Sequence, residues 1–283
     1  MHRVVITVDS TADIPPELAR LYDIHIIPLT VILGEESYPD GDGITPEMMY
    51  ERYHADGTLP KTAAPSVQAF EDFFRPFTEA GDSVVHLDIG SELSNAYNAA
   101  RLAAADMGSV YVIDSRSLCC GIALLAIEGA ECRDRGMSAE EIAARLTALR
   151  DKVSVSFVLD TLEFIWKGGR CSGVTAIGSS FLNIRPSLEM REGKLVVAKK
   201  YRGSSRAVRQ KYLSDRLEGK KILTEHVFFA NSGEIDEGEL DELETFVRSH
   251  CGGKQVHRAR AGCTICGHCG PGTLAVFCFF IIF

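Results

Sequence analysis

Apolar and polar positions alternate in short blocks along the first half of the chain. The block VVITVD, 4–9, is rich in β-branched residues and ends in Asp9-Ser10-Thr11. Pro15 and Pro16 then open a helical stretch, because proline suits the first turn of a helix. A second apolar run, IHIIPLTVIL, 24–33, reads as a strand. After the Gly/Asp-rich loop 41–43, TPEMMYERYHADG has the cap and period of a helix. A third strand, SVVHLDI, leads into SELSNAYNAARLAAADMG, whose alanines favour helix and whose Gly108 suits its end. A fourth, SVYVIDS, runs into a long helix, so strand, Asp-Ser and helix recur at Asp9-Ser10 and Asp114-Ser115. Alternation of this kind predicts a parallel sheet covered by helices on both faces.

The pattern changes after the helix SAEEIAARLTALRDKV. From Ser154 the chain carries extended runs, and Glu192-Gly193 sits between two of them as a hairpin turn does. The expected fold class is therefore α/β with two domains. Residues 1–152 form a parallel-sheet domain flanked by helices, and 153–283 an α+β domain with a mainly antiparallel sheet. No flexible linker is visible near Lys152, so the domains are expected to pack closely, with a pocket at or near their interface. The tail LAVFCFFIIF, 274–283, is ten residues long. That is about half of what a membrane-spanning helix requires, and it reads as a buried terminal strand.

Composition narrows the function classes. Of 283 residues, 46% are hydrophobic and 24% charged, which excludes a disordered, collagen-like or disulfide-scaffold chain. A formal charge of −9 argues against nonspecific binding to nucleic acid or to an anionic membrane. The first residues lack the pattern of a signal peptide. Nine cysteines without an export signal then point to reduced thiols and a cytoplasmic setting.

Several stretches could carry chemistry. Asp9-Ser10-Thr11 and Asp114-Ser115 lie at the carboxyl ends of parallel strands, where open α/β sheets bind ligands, yet these residue types also cap helices. Lys61-Thr62-Ala63-Ala64-Pro65-Ser66 reads as a loop whose hydroxyls suit a small polar head group, and equally as an ordinary helix start. Ser91-Glu92-Leu93-Ser94 precedes a helix, where free amides attract a carboxylate or phosphate, or where Ser94 is only a cap. Gly168-Gly169-Arg170 beside Trp166 and Lys167 could hold an anion or form a solvated turn. The spacing of Cys263, Cys266 and Cys269 suggests a metal or redox module and imitates a zinc or iron–sulfur site, but all three ligands would come from one tight loop and no second pair exists. His268, before Gly-Pro-Gly, is a candidate hydrogen-bonding or acid/base group on a rigid turn. Ser94 or Ser10 with His268 would make an acyl hydrolase, although no G-x-S-x-G elbow is present.

In order, DSTADIP, TAAPS, SELSNAYNAA, WKGGRCSG, LNIRPSLEM and GHCGPG resemble the motifs of the DegV family over nearly the whole chain. The resemblance implies a two-domain bacterial fatty-acid-binding protein. Such proteins serve as the acyl-carrying subunit of fatty acid kinase, in which a separate ATP-dependent subunit phosphorylates the bound carboxylate. By that resemblance Thr62 and Ser94 hold the carboxylate, and Arg170, Arg202 and His268 serve the phosphate or the kinase. No catalytic residue, metal or cofactor is implied beyond the fatty acid as ligand, and transient membrane contact is compatible with such a carrier. The absence of a GxxxxGK[ST] loop agrees with a chain that has no ATP site of its own. The chain departs from the family pattern at Ala63-Ala64, Asn95-Ala96 and Cys269. An acyl tail would need a tunnel lined by residues such as Phe157, Ile177, Phe181, Leu182 and Ile184, and these are equally plain core residues.

Overall fold

The computed structural model describes residues 3–171 and 184–279. The first half begins with β1 (Val4–Asp9), α1 (Pro16–Leu21), β2 (Ile24–Ile27), β3 (Thr30–Leu33), β4 (Glu36–Pro39) and α2 (Pro46–Asp56). It continues with β5 (Lys61–Ala63), α3 (Val67–Glu79), β6 (Ser83–Asp88), α4 (Ala96–Ala103), β7 (Val110–Asp114), α5 (Cys120–Asp134) and α6 (Ala139–Leu149). The second half contains β8 (Val153–Val158), α7 (Glu163–Gly168), β9 (Ile184–Arg191), β10 (Lys194–Arg202) and α8 (Ser205–Leu217). It ends with β11 (His226–Asn231), α9 (Glu237–His250), β12 (Gln255–Arg260), α10 (Cys263–Cys269) and β13 (Leu274–Phe279).

The described residues form three sheets. The expected parallel sheet has the order β2-β1-β6-β7. A six-stranded sheet, β10-β9-β8-β13-β11-β12, is antiparallel except for the parallel pair β11–β12. The third, β4-β3-β5, is a small antiparallel sheet that the alternation of the first half does not announce. It exists because the apolar run 24–33 is two strands rather than one. Pro28 interrupts it, since proline lacks an amide donor and fixes φ, and the chain leaves the parallel sheet there to start a new one. The fold is thus mixed α/β, with a parallel sheet first and a mainly antiparallel sheet second. Among the described residues, no helix is long and apolar enough to cross a membrane.

The long helix α5 joins the two large sheets. It packs against β1 and β6 on one side and β8, β11 and β13 on the other. Its residues from Cys120 to Ile127 are all buried, which is the composition a helix needs when apolar surface covers it all round. One core cluster accordingly runs from Ile6 and Val85 through Ala123 to Phe157 and Phe277. The hairpin at Glu192-Gly193 is as expected, with both residues at positive φ (51° and 78°) between β9 and β10. The tail strand β13 is buried throughout and occupies the middle of the six-stranded sheet, between β8 and β11.

Two sequence expectations change at the local level. The stretch from Lys61 is not all loop: Lys61–Ala63 forms β5, with Thr62 opposite Val31 of β3, and Ser66 caps α3 by accepting from the Ala69 amide at 3.1 Å. Cys263–Cys269 is a helix rather than a tight loop, so His268 sits on a helix and not on a turn. The cause lies far away in sequence. Asp13 Oδ1 accepts from the Gly262 amide at 2.8 Å, and Asp40 Oδ1 from the Cys263 amide at 3.0 Å, so two carboxylates satisfy the first amides of α10.

Candidate functional site

A cavity of about 240 Å³ opens where α10, α7, β5 and the β6–α4 loop converge over the six-stranded sheet. Its wall is largely apolar, with Ile89, Leu93, Leu118, Phe157, Ile165 and Phe277 among the lining residues. Thr62, Ser94, Arg170 and His268 line the same cavity. Four of the residues that the sequence singles out thus meet at one place, although the chain separates Thr62 from His268 by 206 positions. Arg202 is not with them. It is exposed at the end of β10 and does not line this cavity. Of the tunnel residues expected from sequence, Phe157 is in the wall and Ile184 is in β9 outside it, while Ile177, Phe181 and Leu182 lie outside the described residues.

Ser94 is positioned by the aspartates at the ends of the parallel strands. Asp9 Oδ2 accepts from the Ile89 amide at 2.8 Å, and its Oδ1 accepts from the amide and hydroxyl of Thr11. Asp114 accepts from the Ser91 amide at 3.0 Å and from the Ser91 hydroxyl at 2.7 Å. The β6–α4 loop is therefore clamped from both neighbouring strands, and Ser94 follows at the start of α4, where its Oγ accepts from the Ala96 amide at 3.2 Å. Arg170 ties α7 to this loop by donating through Nε to Leu93 O at 3.3 Å and through Nη1 to Gly168 O at 2.6 Å. Asp9 is wholly buried. Burial, with the neighbouring Asp88 carboxylate, raises its pKa to about 7.

His268 and Thr62 face each other. Thr62 Oγ1 and His268 Nε2 share a hydrogen bond of 2.9 Å. Burial, reinforced by the Arg170 charge, lowers the histidine pKa to about 4, so the ring is neutral at pH 7. Its Nδ1 is buried without a partner among the described residues and packs on Gly168, where an added Cβ would lie 2.6 Å from that nitrogen. Glycine at 168 is therefore what lets α7 approach the imidazole. Together these groups present a hydroxyl, a second hydroxyl at a helix start, a neutral imidazole and a guanidinium at one end of an apolar space. That set can hold a single carboxylate and leave an alkyl chain in the cavity.

The alternative chemistries fare differently. Ser10 is outside the cavity, where its hydroxyl donates to Asp40 Oδ2 at 2.9 Å and accepts from the Leu29 amide at 3.0 Å. Among the described residues, no carboxylate bonds to His268 to orient it as a general base. The thiols of Cys263, Cys266 and Cys269 are buried, and their Sγ atoms contact the carbonyls of Ile44, Ala261 and Gly270 at 3.3–3.6 Å. Burial pushes the Cys263 thiol up to about 12. Among the described residues, no three His, Cys, Asp or Glu side chains are grouped so as to hold a metal ion.

The profile of the DegV family, described as an uncharacterised protein family, matches residues 3–280. The chain belongs to the DegV family. This DegV chain is similar to a fatty acid-binding protein of Thermotoga maritima, 32% identical over 282 residues that cover 96% of each chain. Its structure matches that of a DegV family protein from Thermus thermophilus solved for its fatty acid binding. The match has a TM-score of 0.88 and 30% identity, and covers 99% of this chain and 100% of that one. The Streptococcus pneumoniae Fatty Acid Kinase (Fak) B3 protein, loaded with linoleic acid, shares the fold at a TM-score of 0.83 and 23% identity, with 98% and 99% of the two chains covered. Fatty acid binding is thus described for DegV proteins of this fold.

Residues that the sequence does not single out matter as much as those it does. Asp13 and Asp40 hold α10, and Thr264 lines the cavity from that helix. Only the Asp-Ser pattern at strand ends gives any advance signal of such clamps, and it points to Asp9 and Asp114.

Proposed function

We propose that this DegV chain binds a long-chain fatty acid, with Thr62 and Ser94 holding the carboxylate and the tail lying in the apolar cavity. The observation that carries the reading is the convergence of Thr62, Ser94, Arg170 and His268 at one end of that cavity from four separate elements. Each hydroxyl donates to one carboxylate oxygen, and hydrogen bonds to a charged acceptor contribute about 1.5–3 kcal/mol apiece. The tail adds about 0.8 kcal/mol per buried methylene, enough for a long chain to stay bound through purification.

The chain then presents its carboxylate to a separate ATP-dependent kinase subunit, which forms the acyl phosphate. The motif order supports this step, and the neutral His268 beside Arg170 supplies donors for the added phosphate charge. Arg202, exposed and away from the cavity, is a contact for the kinase rather than for the acyl chain. The division into 1–152 and 153–283 fits this arrangement, because Thr62 and Ser94 come from the first part and Arg170 and His268 from the second.

Mass spectrometry of an organic extract, set beside the native mass of the protein, tests the reading. A stoichiometric long-chain fatty acid, lost when Thr62 and Ser94 are both replaced by alanine, is the expected result. An empty protein that refuses added fatty acid defeats the ligand assignment. Unchanged affinity in the double variant defeats the site assignment alone.

A further inference from the structure

Most polar side chains in the wall of the cavity are spoken for within the protein. Ser232 Oγ donates to Gly270 O at 2.6 Å, Thr273 Oγ1 donates to Cys269 O at 3.0 Å, and Asn231 Oδ1 accepts from the Gly233 amide at 3.0 Å. Thr264 differs. It lines the same cavity with only 3% of its surface exposed, and its Oγ1 has no hydrogen-bond partner among the described residues. Its amide is already directed at Asp40 Oδ1, at 3.4 Å, so the hydroxyl alone is left over. A buried hydroxyl without a partner is costly, and it persists where a ligand supplies what the protein does not.

Thr264 stands four residues before His268 on α10, so both occupy one face of the helix. The separation along the helix is about 6 Å, or roughly five bonds of an extended carbon chain. His268 marks the carboxylate end through Thr62, and its own unpartnered nitrogen is turned to Gly168. Thr264 therefore offers a second polar contact partway along the path of the tail.

We infer that the preferred ligand is an oxygenated fatty acid, one carrying a hydroxyl or keto group several carbons from its carboxylate, and that Thr264 Oγ1 hydrogen-bonds that oxygen. This rests on the fatty-acid reading of the same cavity and adds the class of acyl chain. An unsubstituted chain would place methylenes against the hydroxyl and leave it unpaired.

Lipid-free protein should be titrated with stearic acid and with its positional hydroxy isomers, substituted from near the carboxylate to the far end. One or two isomers substituted about five carbons from the carboxylate should bind about tenfold more tightly than stearic acid, as one added hydrogen bond allows. Thr264→Val, which removes the hydroxyl while keeping the branched shape, should erase the advantage, and Thr264→Ser should retain it. Equal binding of stearic acid and every hydroxy isomer overturns the inference but leaves the fatty-acid reading standing. So does a preference that persists in Thr264→Val. Failure of every acid to bind overturns both.

Discussion

Two buried polar regions of this chain invite comparison. At the carboxyl ends of β1 and β7, Asp9 and Asp114 each accept several hydrogen bonds from loop amides and hydroxyls, and each holds the β6–α4 loop with one part of its carboxylate and its own following turn with another. On α10, in the wall of the cavity, His268 and Thr264 each keep one buried polar atom without a partner among the described residues. The first region is closed and builds the frame. The second is open, and under the proposed function it is where the ligand would complete the hydrogen bonding. Saturation thus sets Asp9 and Asp114 apart from Thr264 and His268, although Asp13, which holds α10, also keeps one buried carboxylate oxygen unpartnered among the described residues.

The comparison breaks most readily at the open region. Replacing Thr62 and Ser94 together by alanine should weaken acyl binding at least a hundredfold, about 3 kcal/mol, while leaving the denaturant midpoint nearly unchanged. A fall in stability without loss of binding would mean that these hydroxyls belong to the frame.

The two regions should also respond to pH with opposite signs. His268 stays neutral in the fold down to about 4, against an ordinary 6.5, so below 6.5 the unfolded chain binds the proton more readily. Its contribution is complete above 6.5 and is lost as pH falls toward 4, a difference of roughly 3 kcal/mol. Asp9 titrates near 7 in the fold against 3.8 ordinarily, so its contribution is complete below 3.8 and is lost as pH rises toward 7. Urea unfolding across pH 4–7 should show that His268→Gln removes a slope rising with pH and Asp9→Asn a slope falling with it. Slopes of the same sign would erase the contrast.

Asp114→Ala should cost about 2 kcal/mol by freeing the Ser91 amide and hydroxyl, and should lower affinity only through the looser placement of Ser94. The smallest effect is expected for Gly168→Ala. The new methyl would meet His268 Nδ1 and push the ring from Thr62, weakening binding several-fold, about 1 kcal/mol, with secondary structure intact by circular dichroism.

Much of the frame is legible in the sequence because it is local. The β-branched blocks of β1, β6 and β7, the Glu192-Gly193 hairpin and the apolar tail strand all declare themselves through period and turn chemistry. The split at Pro28 is less visible, because an apolar run looks the same whether one sheet or two receives it. The helix at Cys263–Cys269 is hidden for another reason. Its first amides are satisfied by Asp13 and Asp40, 249 residues before Gly262 and 223 before Cys263, and no local pattern reports so distant a cap. The site shows the same division. Thr62, Ser94 and His268 are readable by family motif, whereas Thr264 differs from any other threonine only in what its hydroxyl lacks.

The strand β13 lies between β8 and β11, yet it is translated after every other strand of its sheet. While the chain is being made, β8 and β11 each carry an unpaired edge, and the two parts of the sheet have nothing between them to join. Ala275 and Phe277 of β13 also line the cavity, so the floor that would receive a tail is laid last. Under the proposed function, an acyl chain would then have no complete floor to lie on until β13 is in place. Until then the edges of β8 and β11 are open to pairing with other chains, so the last strand made is also the one that seals the sheet.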